Sequence, residues 1–174
     1  AIKHDITIYA AHTNMDVVSN GVSGRMADKL DLYHRQILQP EGDPMTGNGF
    51  GIIGELQHPV ESMAFLQQIK EIFRCDRLRY TTPHILSIQR VAVCGGAGAS
   101  FFKQALAGQA DIYISGDFKY HDFFLTENRI MIADIGHYES EQFTKEIFYE
   151  ILTKKISKFA VQFSEINTNP IKYL

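Results

Sequence analysis

The stretch IQRVAVCGGAGASFFKQALAGQADIYIS, residues 88–115, decides the fold. An apolar run ends in Gly95 and Gly96, Ser100–Gly108 has the pattern of a short helix, and Asp111–Ser115 is a second short apolar run. Strand, glycine turn, helix and strand make a βαβ unit. The same alternation continues downstream. His121–Glu127 reads as helical and Ile130–Ile135 as a strand. Glu139–Ile156 reads as one long helix carrying Phe143, Ile147, Phe148, Ile151 and Leu152 on one side, and Phe159–Phe163 as a final strand. Upstream, Glu61–Phe73 has Phe65, Ile69, Ile72 and Phe73 at helical spacing, with Pro59 near its start. Pro40–Gly54 holds two prolines and five glycines without a period and reads as a loop or linker. Gly24–Leu32 suits a short helix, and Asp5–Ala11 alternates Ile6, Ile8 and Ala10 against Thr7 and Tyr9 as a strand does. The fold class is α/β, one layer of βαβ units within a single domain spanning 1–174.

The bulk properties bound the function. A chain of 174 residues can bury a core without staples. A net charge of -3 leaves no basic stripe for a phosphate backbone, so generic nucleic-acid binding is disfavoured. No apolar run approaches the roughly 18–20 residues that span a bilayer, so no membrane partner is expected. Cys75 and Cys94 form no CxxC pair, which points to a reducing compartment and a cytoplasmic protein. Cys94, inside VAVC, reads as a small buried thiol.

Four polar clusters each follow a predicted strand: HTNMD at 12–16, GGAGAS at 95–100, SGDFKYHD at 115–122 and GHYESE at 136–141. In open α/β sheets ligands bind beyond the carboxyl ends of strands, so the clusters are expected to converge. His137 and Glu141 are four apart, hence on one face of a helix; they are either a solvated surface pair or a metal-gripping imidazole and carboxylate. Asp16, four beyond His12, is either a helix N-cap or a hard oxygen ligand with His12 beside it. Asp117, Lys119 and His121 alternate and would share a side on an extended backbone. They either face water or place Lys119 against an anionic substrate group and His121 as general acid or base. Gly96 and Gly98 give G-x-G, and Asp117 lies 21 residues after Gly96, as in dinucleotide folds. Phe101 occupies the third glycine position and would obstruct helix–strand packing, so a tight turn without NAD(P) is expected.

Taken in order, YAAHTNMD (9–16), GFGIIGEL (49–56), VAVCGGAGAS (91–100), GDFKYHD (116–122) and GHYESE (136–141) resemble the NIF-three-like family, the YbgI-like GTP cyclohydrolase I type 2 homologues. The ending SEINTNPIKYL is similar to that of members from Bacteroides-type bacteria. The resemblance implies a mixed sheet and a centre of two divalent metal ions per subunit, with zinc, iron, manganese or nickel all compatible with the donors. It implies Asp16, His137 and Glu141 as ligands with His12 beside them, Glu141 bridging, and Asp117, Lys119 and His121 around the cavity. It further implies a homohexamer, a trimer of dimers, acting on a small anionic or nucleotide substrate as a metal-dependent hydrolase. The alternative is a non-enzymatic metal-storage, metal-delivery or regulatory interaction protein. Two departures stand out. The family's His-His-Pro motif is absent, which leads to the expectation of a segment before Ala1 that would also cover the edge of a strand at Asp5. The linker at 39–49 is too short for the domain that some relatives insert there.

Overall fold

The computed structural model describes residues 1–174, the side chain of Pro44 excepted. Six strands form one sheet: β1 (Tyr33–Pro40), β2 (Gly49–Glu61), β3 (Arg79–Tyr80), β4 (Ser87–Val93), β5 (Ile112–Ser115) and β6 (Met131–Asp134), in the spatial order β1-β2-β4-β5-β6-β3. β4, β5 and β6 are parallel neighbours, whereas β1/β2, β2/β4 and β3/β6 are antiparallel, so the sheet is mixed. The helices are α1 (Thr13–Asp16), α2 (Val22–Lys29), α3 (Ser62–Ile72), α4 (Phe102–Ala107), α5 (His137–Glu141) and α6 (Thr144–Lys155).

The period of two in the central strands splits the core into two faces. Val91, Val93, Ile112, Ile114, Met131 and Ala133 pack with Met26, Phe65, Ile69 and Phe73, residues of α2 and α3 and of the turn after α3. Ala92, Cys94, Tyr113, Ile130 and Ile132 pack with Phe102 and Ala105 of α4. α3 begins where Glu61 accepts the backbone N–H groups of Met63 and Ala64, at 2.9 and 2.7 Å, an N-cap that satisfies two orphan donors. No helix is long and apolar enough to cross a membrane among the described residues.

The βαβ reading of residues 88–135 holds, and so do the helices after Glu61 and near Gly24. Five other expectations are corrected. Residues 5–11 are not a strand. They pair with nothing, and Ile6 and Ile8 are 58% and 77% exposed, since an alternating pattern without a neighbouring strand has no ladder to join. HTNMD therefore follows coil, and α1 forms inside it. The second half of the proposed loop is strand. Gly49–Gly54 opens β2, and the glycines are there because β1 comes close: a Cβ at Gly49 would lie 2.3 Å from the Gln39 carbonyl oxygen. The long C-terminal helix is broken between α5 and α6, where Phe143 turns into the core against Phe73, ring centroids 6.2 Å apart. Finally, Phe159–Phe163 is not a strand; it runs as coil, with Phe163 stacked on Tyr149.

Candidate metal centre

The loops leaving β4, β5 and β6 are laced together by their own backbones. Gly116 N donates to Gly96 O at 3.1 Å and Ile135 N to Ser115 O at 3.0 Å. Gly98 N donates to Ser115 Oγ at 3.1 Å, and the buried Tyr113 hydroxyl donates to Gly98 O at 2.6 Å. Ser140 joins the glycine turn to α5: its hydroxyl donates to His137 O at 2.7 Å and accepts from Gly96 N at 2.8 Å. Three of the four polar clusters thus form one fixed frame at the carboxyl edge of the parallel strands, where such folds bind ligands.

His137 is the first residue of α5. The chain reaches it through Gly136, whose φ of +91° is a left-handed conformation that favours glycine, and Gly136 N donates to Asp134 Oδ1 at 3.0 Å. The His137 ring is held from both sides. Its Nδ1–H donates to Asp117 Oδ2 at 2.7 Å, and its Nε2 stands 3.4 Å from Glu141 Oε1, one helical turn on. Asp117 makes its contact from φ +60°, an unusual backbone state for a residue with a Cβ, tolerated best by Asp and Asn. Above the pair lies Gly96, at φ +63°. A Cβ there would come within 2.4 Å of Glu141 Oε1, so only glycine permits this approach of the turn to the carboxylate.

Asp16 arrives from α1 rather than from a strand end, and it reaches the same cluster. Burial raises its carboxyl pKa, and the charges of His12 and His137 offset part of that rise. It caps no helix: α2 starts after Gly21, and the local Asx-type contact is the His12 N–H donating to Asn14 Oδ1 at 2.8 Å. Glu141 is also raised, by burial first and by repulsion from Asp16 and Asp117, with His137 and His12 opposing. His137 moves upward too. Burial pulls it down, but the Asp117 hydrogen bond and the charges of Glu141, Asp117 and Asp16 outweigh that. The cluster therefore holds more negative charge than it can neutralise and binds protons in compensation.

The donor set suits a divalent cation in chemistry and in one measured edge. Two ligands each about 2.1 Å from a tetrahedral ion lie about 3.4 Å apart, and His137 Nε2 and Glu141 Oε1 show that spacing. The Nδ1–Asp117 bond is the outer partner that metal-binding imidazoles ordinarily have. Among the described residues, however, no three His, Cys, Asp or Glu side chains already stand as a complete shell. His137 and Glu141 provide an edge, and Asp16 and His12 are close enough to couple with it electrostatically without closing it.

Lys119 and His121 take different positions from the alternation expected of them. The left-handed Asp117 and the 3-10 turn Tyr120–Thr126 break the extended run on which the three were expected to share a side. Lys119 N donates to Asp122 Oδ2 at 2.7 Å, capping that turn. His121 lies against Tyr120 and Phe124, ring centroids 5.3 and 6.5 Å away. Neither forms a hydrogen bond or ion pair with Asp16, His137 or Glu141 among the described residues. The glycine turn is the tight turn expected, and Phe101 at its third position stacks on Phe50 at 5.1 Å. Sequence reasoning missed Ser140 and the Arg79–Asp134 ion pair. Ser140 could have been found, since it lies three residues after His137 on the same helix face; Arg79 carries no local signal.

Comparisons with known proteins show the family and the fold. The Duf34/NIF3 (NGG1p interacting factor 3) family model matches residues 1–170. A Streptococcus pneumoniae protein named GTP cyclohydrolase 1 type 2 homolog is 36% identical over 181 residues, covering 99% of this chain and 67% of that relative. A Staphylococcus epidermidis protein of the same name is 38% identical over 130 residues, 72% of this chain and 35% of the relative. The chain thus spans 35–67% of the length of these relatives. Among solved structures, Staphylococcus aureus hypothetical protein SA1388 superposes with a TM-score of 0.88 at 25% identity, over 99% of this chain and 70% of that one. A Bacillus cereus protein related to NIF3 has a TM-score of 0.84 at 20% identity, over 99% and 75%, and shows the fold alone. The chain belongs to the Duf34/NIF3 (NGG1p interacting factor 3) family.

Proposed function

We propose that this chain binds divalent metal through His137 and Glu141, with Asp16 and His12 completing the shell, and that the site serves a metal-dependent hydrolytic reaction. The observation that carries the reading is the His137 ring, fixed at Nδ1 by Asp117 at 2.7 Å and facing Glu141 across 3.4 Å with Nε2. Its support is electrostatic as well. Asp16 and Glu141, both raised by burial, sit where a cation would relieve their repulsion. When bound, such an ion supplies Lewis-acid polarisation and lowers the pKa of water toward neutrality.

The chain's own residues supply the frame. With Nδ1–H held by Asp117, the Nε2 lone pair of the neutral ring would be free for a cation shared with Glu141. Ser140 and Gly96 fix the backbone of α5 against the glycine turn. Relatives named GTP cyclohydrolase 1 type 2 homolog make hydrolysis the reaction class to test first.

The test is metal analysis joined to activity. Purified protein loaded with zinc, manganese or iron and then desalted should retain metal. His137→Ala and Glu141→Gln should each lower affinity by on the order of 10–100-fold or more, while Lys119→Ala should leave metal content unchanged. Equal metal content in the wild type and His137→Ala would sink the reading. Retained metal with no turnover of GTP or simple phosphoesters would favour storage or delivery over hydrolysis.

A further inference from the structure

A cavity of about 280 Å³ includes the His137–Asp117 pair in its lining together with two arginines that the metal reading does not use. It is lined by Gly136, His137, Asp117 and Asp134 from the loops after the parallel strands, by Arg77 and Arg79, and by Ile171 and Tyr173 of the C-terminal segment. We propose that this cavity is an oxyanion subsite, in which Arg77 holds a phosphate or carboxylate group of a ligand whose reacting end faces His137; its place in a reaction rests on the metal reading above.

The two arginines sit two residues apart and play different parts. Arg79 is spent on the frame. Its Nη2 donates to Asp134, a carboxylate only 3% exposed, and to Phe118 O at 2.8 Å. Asp134 in turn accepts from Gly136 N at 3.0 Å, and Phe118 follows Asp117. One guanidinium nitrogen thus ties together the two loop ends that carry His137 and Asp117. The charges of Arg79 and Asp134 cancel in doing so, and Asp117 is committed to His137.

Arg77 pairs with no Asp or Glu side chain among the described residues. Its guanidinium carbon lies 5.2 Å from the Tyr173 ring centroid, a cation–π contact that uses the face of the group and none of its N–H donors. Its one acceptor among the described residues is the main-chain oxygen of Leu174, the last residue of the sequence, reached by Nη2. Among the described residues Nε and Nη1 have no protein acceptor. A backbone oxygen from the chain's own tail already sits on this guanidinium, so the geometry accepts an oxygen ligand there. An anionic oxygen binds such a donor fork more strongly than a neutral one does. His137 and Arg77 line the same cavity, so an anion held by Arg77 shares it with the His137 ring.

The experiment is calorimetric titration of the full chain with inorganic phosphate, with acetate as the carboxylate arm, in chelator-treated and in zinc-loaded protein. Phosphate should bind in both states. Arg77→Gln should weaken it by on the order of 10–100-fold, and Arg77→Lys, with one point charge, should recover part of the loss. Lys172→Gln, which removes the same charge from the adjacent tail outside the cavity, should change affinity less than about twofold. Unchanged phosphate affinity in Arg77→Gln, or an equal loss in Lys172→Gln, would overturn the subsite. Binding seen only with zinc present would do the same, because the ion alone would then be the receptor. Zinc retention in His137→Ala, read on the same samples, reports on the metal reading separately: Arg77-dependent phosphate binding in that variant supports the subsite whether or not zinc is held.

Discussion

The two halves of the sheet are built on different physics. β5 and β6 bury every one of their residues, and their parallel neighbour β4 buries Val91, Ala92 and Val93 completely. β1, at the other end, buries only Leu38 of its eight residues, and its pairing with β2 slips between Tyr33 and Gln36. Helices cover the parallel half on both faces, as βαβ crossovers require, whereas the antiparallel half presents polar residues to water. All the cluster residues except His12 and Asp16 leave the ends of the rigid, doubly covered strands. A site whose ligands must hold fixed relative positions is placed where side-chain packing leaves the backbone the least freedom.

The sharpest way to break this comparison is to cut the same volume from each half. Ile132→Ala removes a fully buried side chain from β6 and should cost about 2–5 kcal/mol in urea denaturation. Ile37→Ala, on the half-buried β1, should cost roughly 1 kcal/mol or less. Equal losses would mean that the edge strands carry as much of the fold as the centre does.

A second comparison sets two glycines with nearly the same backbone against each other. Gly96 has φ +63° and Gly42 φ +71°, but only Gly96 faces an obstruction. Gly42→Ala should cost about 1 kcal/mol, the left-handed penalty alone. Gly96→Ala should cost about 1–3 kcal/mol and also displace Glu141, so it should lower zinc content where Gly42→Ala does not. Zinc retention in Gly96→Ala would detach the glycine turn from the site.

The same division explains what the amino-acid sequence disclosed. Residues 88–135 were legible because their strands are short continuous apolar runs bounded by glycine turns, a signal that is local. Asp5–Ala11 misled because alternation reports a surface fit for a sheet, not the presence of a neighbour to pair with. Gly49–Gly54 misled in the opposite sense: glycines usually mark turns, and here they admit β1 at close range. In the site, the spacing of His137 and Glu141 was readable because a helix fixes it. Asp117 on His137 was not, since it depends on a left-handed residue that no period announces. Arg79 lies 55 residues from Asp134 and is visible only once β3 is seen beside β6.

The smallest expected effect is a pH slope, and it separates the cluster from the rest of the protein by sign. In metal-free protein Asp16, Glu141 and His137 all have folded pKa values above their ordinary ones. For Asp16 and Glu141 burial is the leading cause; for His137 burial opposes the rise, and the Asp117 bond with the surrounding negative charge exceeds it. Each group binds its proton more tightly folded than unfolded, so each contributes stability that is complete below its unfolded pKa and lost as pH rises through the folded one. The carboxyl contributions fade from about pH 4 upward and that of His137 from about pH 6.5. Glu55 and Glu61, whose pKa values are lowered by hydrogen bonds, act in the opposite sense, but their contribution is complete by about pH 5. Between pH 6 and 8 the metal-free protein should therefore lose stability gradually. The slope should be shallow, because the His137 side chain is 46% exposed and solvent screens its partners. His137→Gln should flatten it. Zinc-loaded protein should behave the other way across the same interval, because ligands bind a cation only after losing their protons and affinity grows with pH. Urea midpoints at pH 6, 7 and 8 for the wild type and His137→Gln, each with and without zinc, give the four slopes. Parallel slopes in the two states would show that the cluster takes no cation, and would remove the electrostatic support for a metal centre at His137.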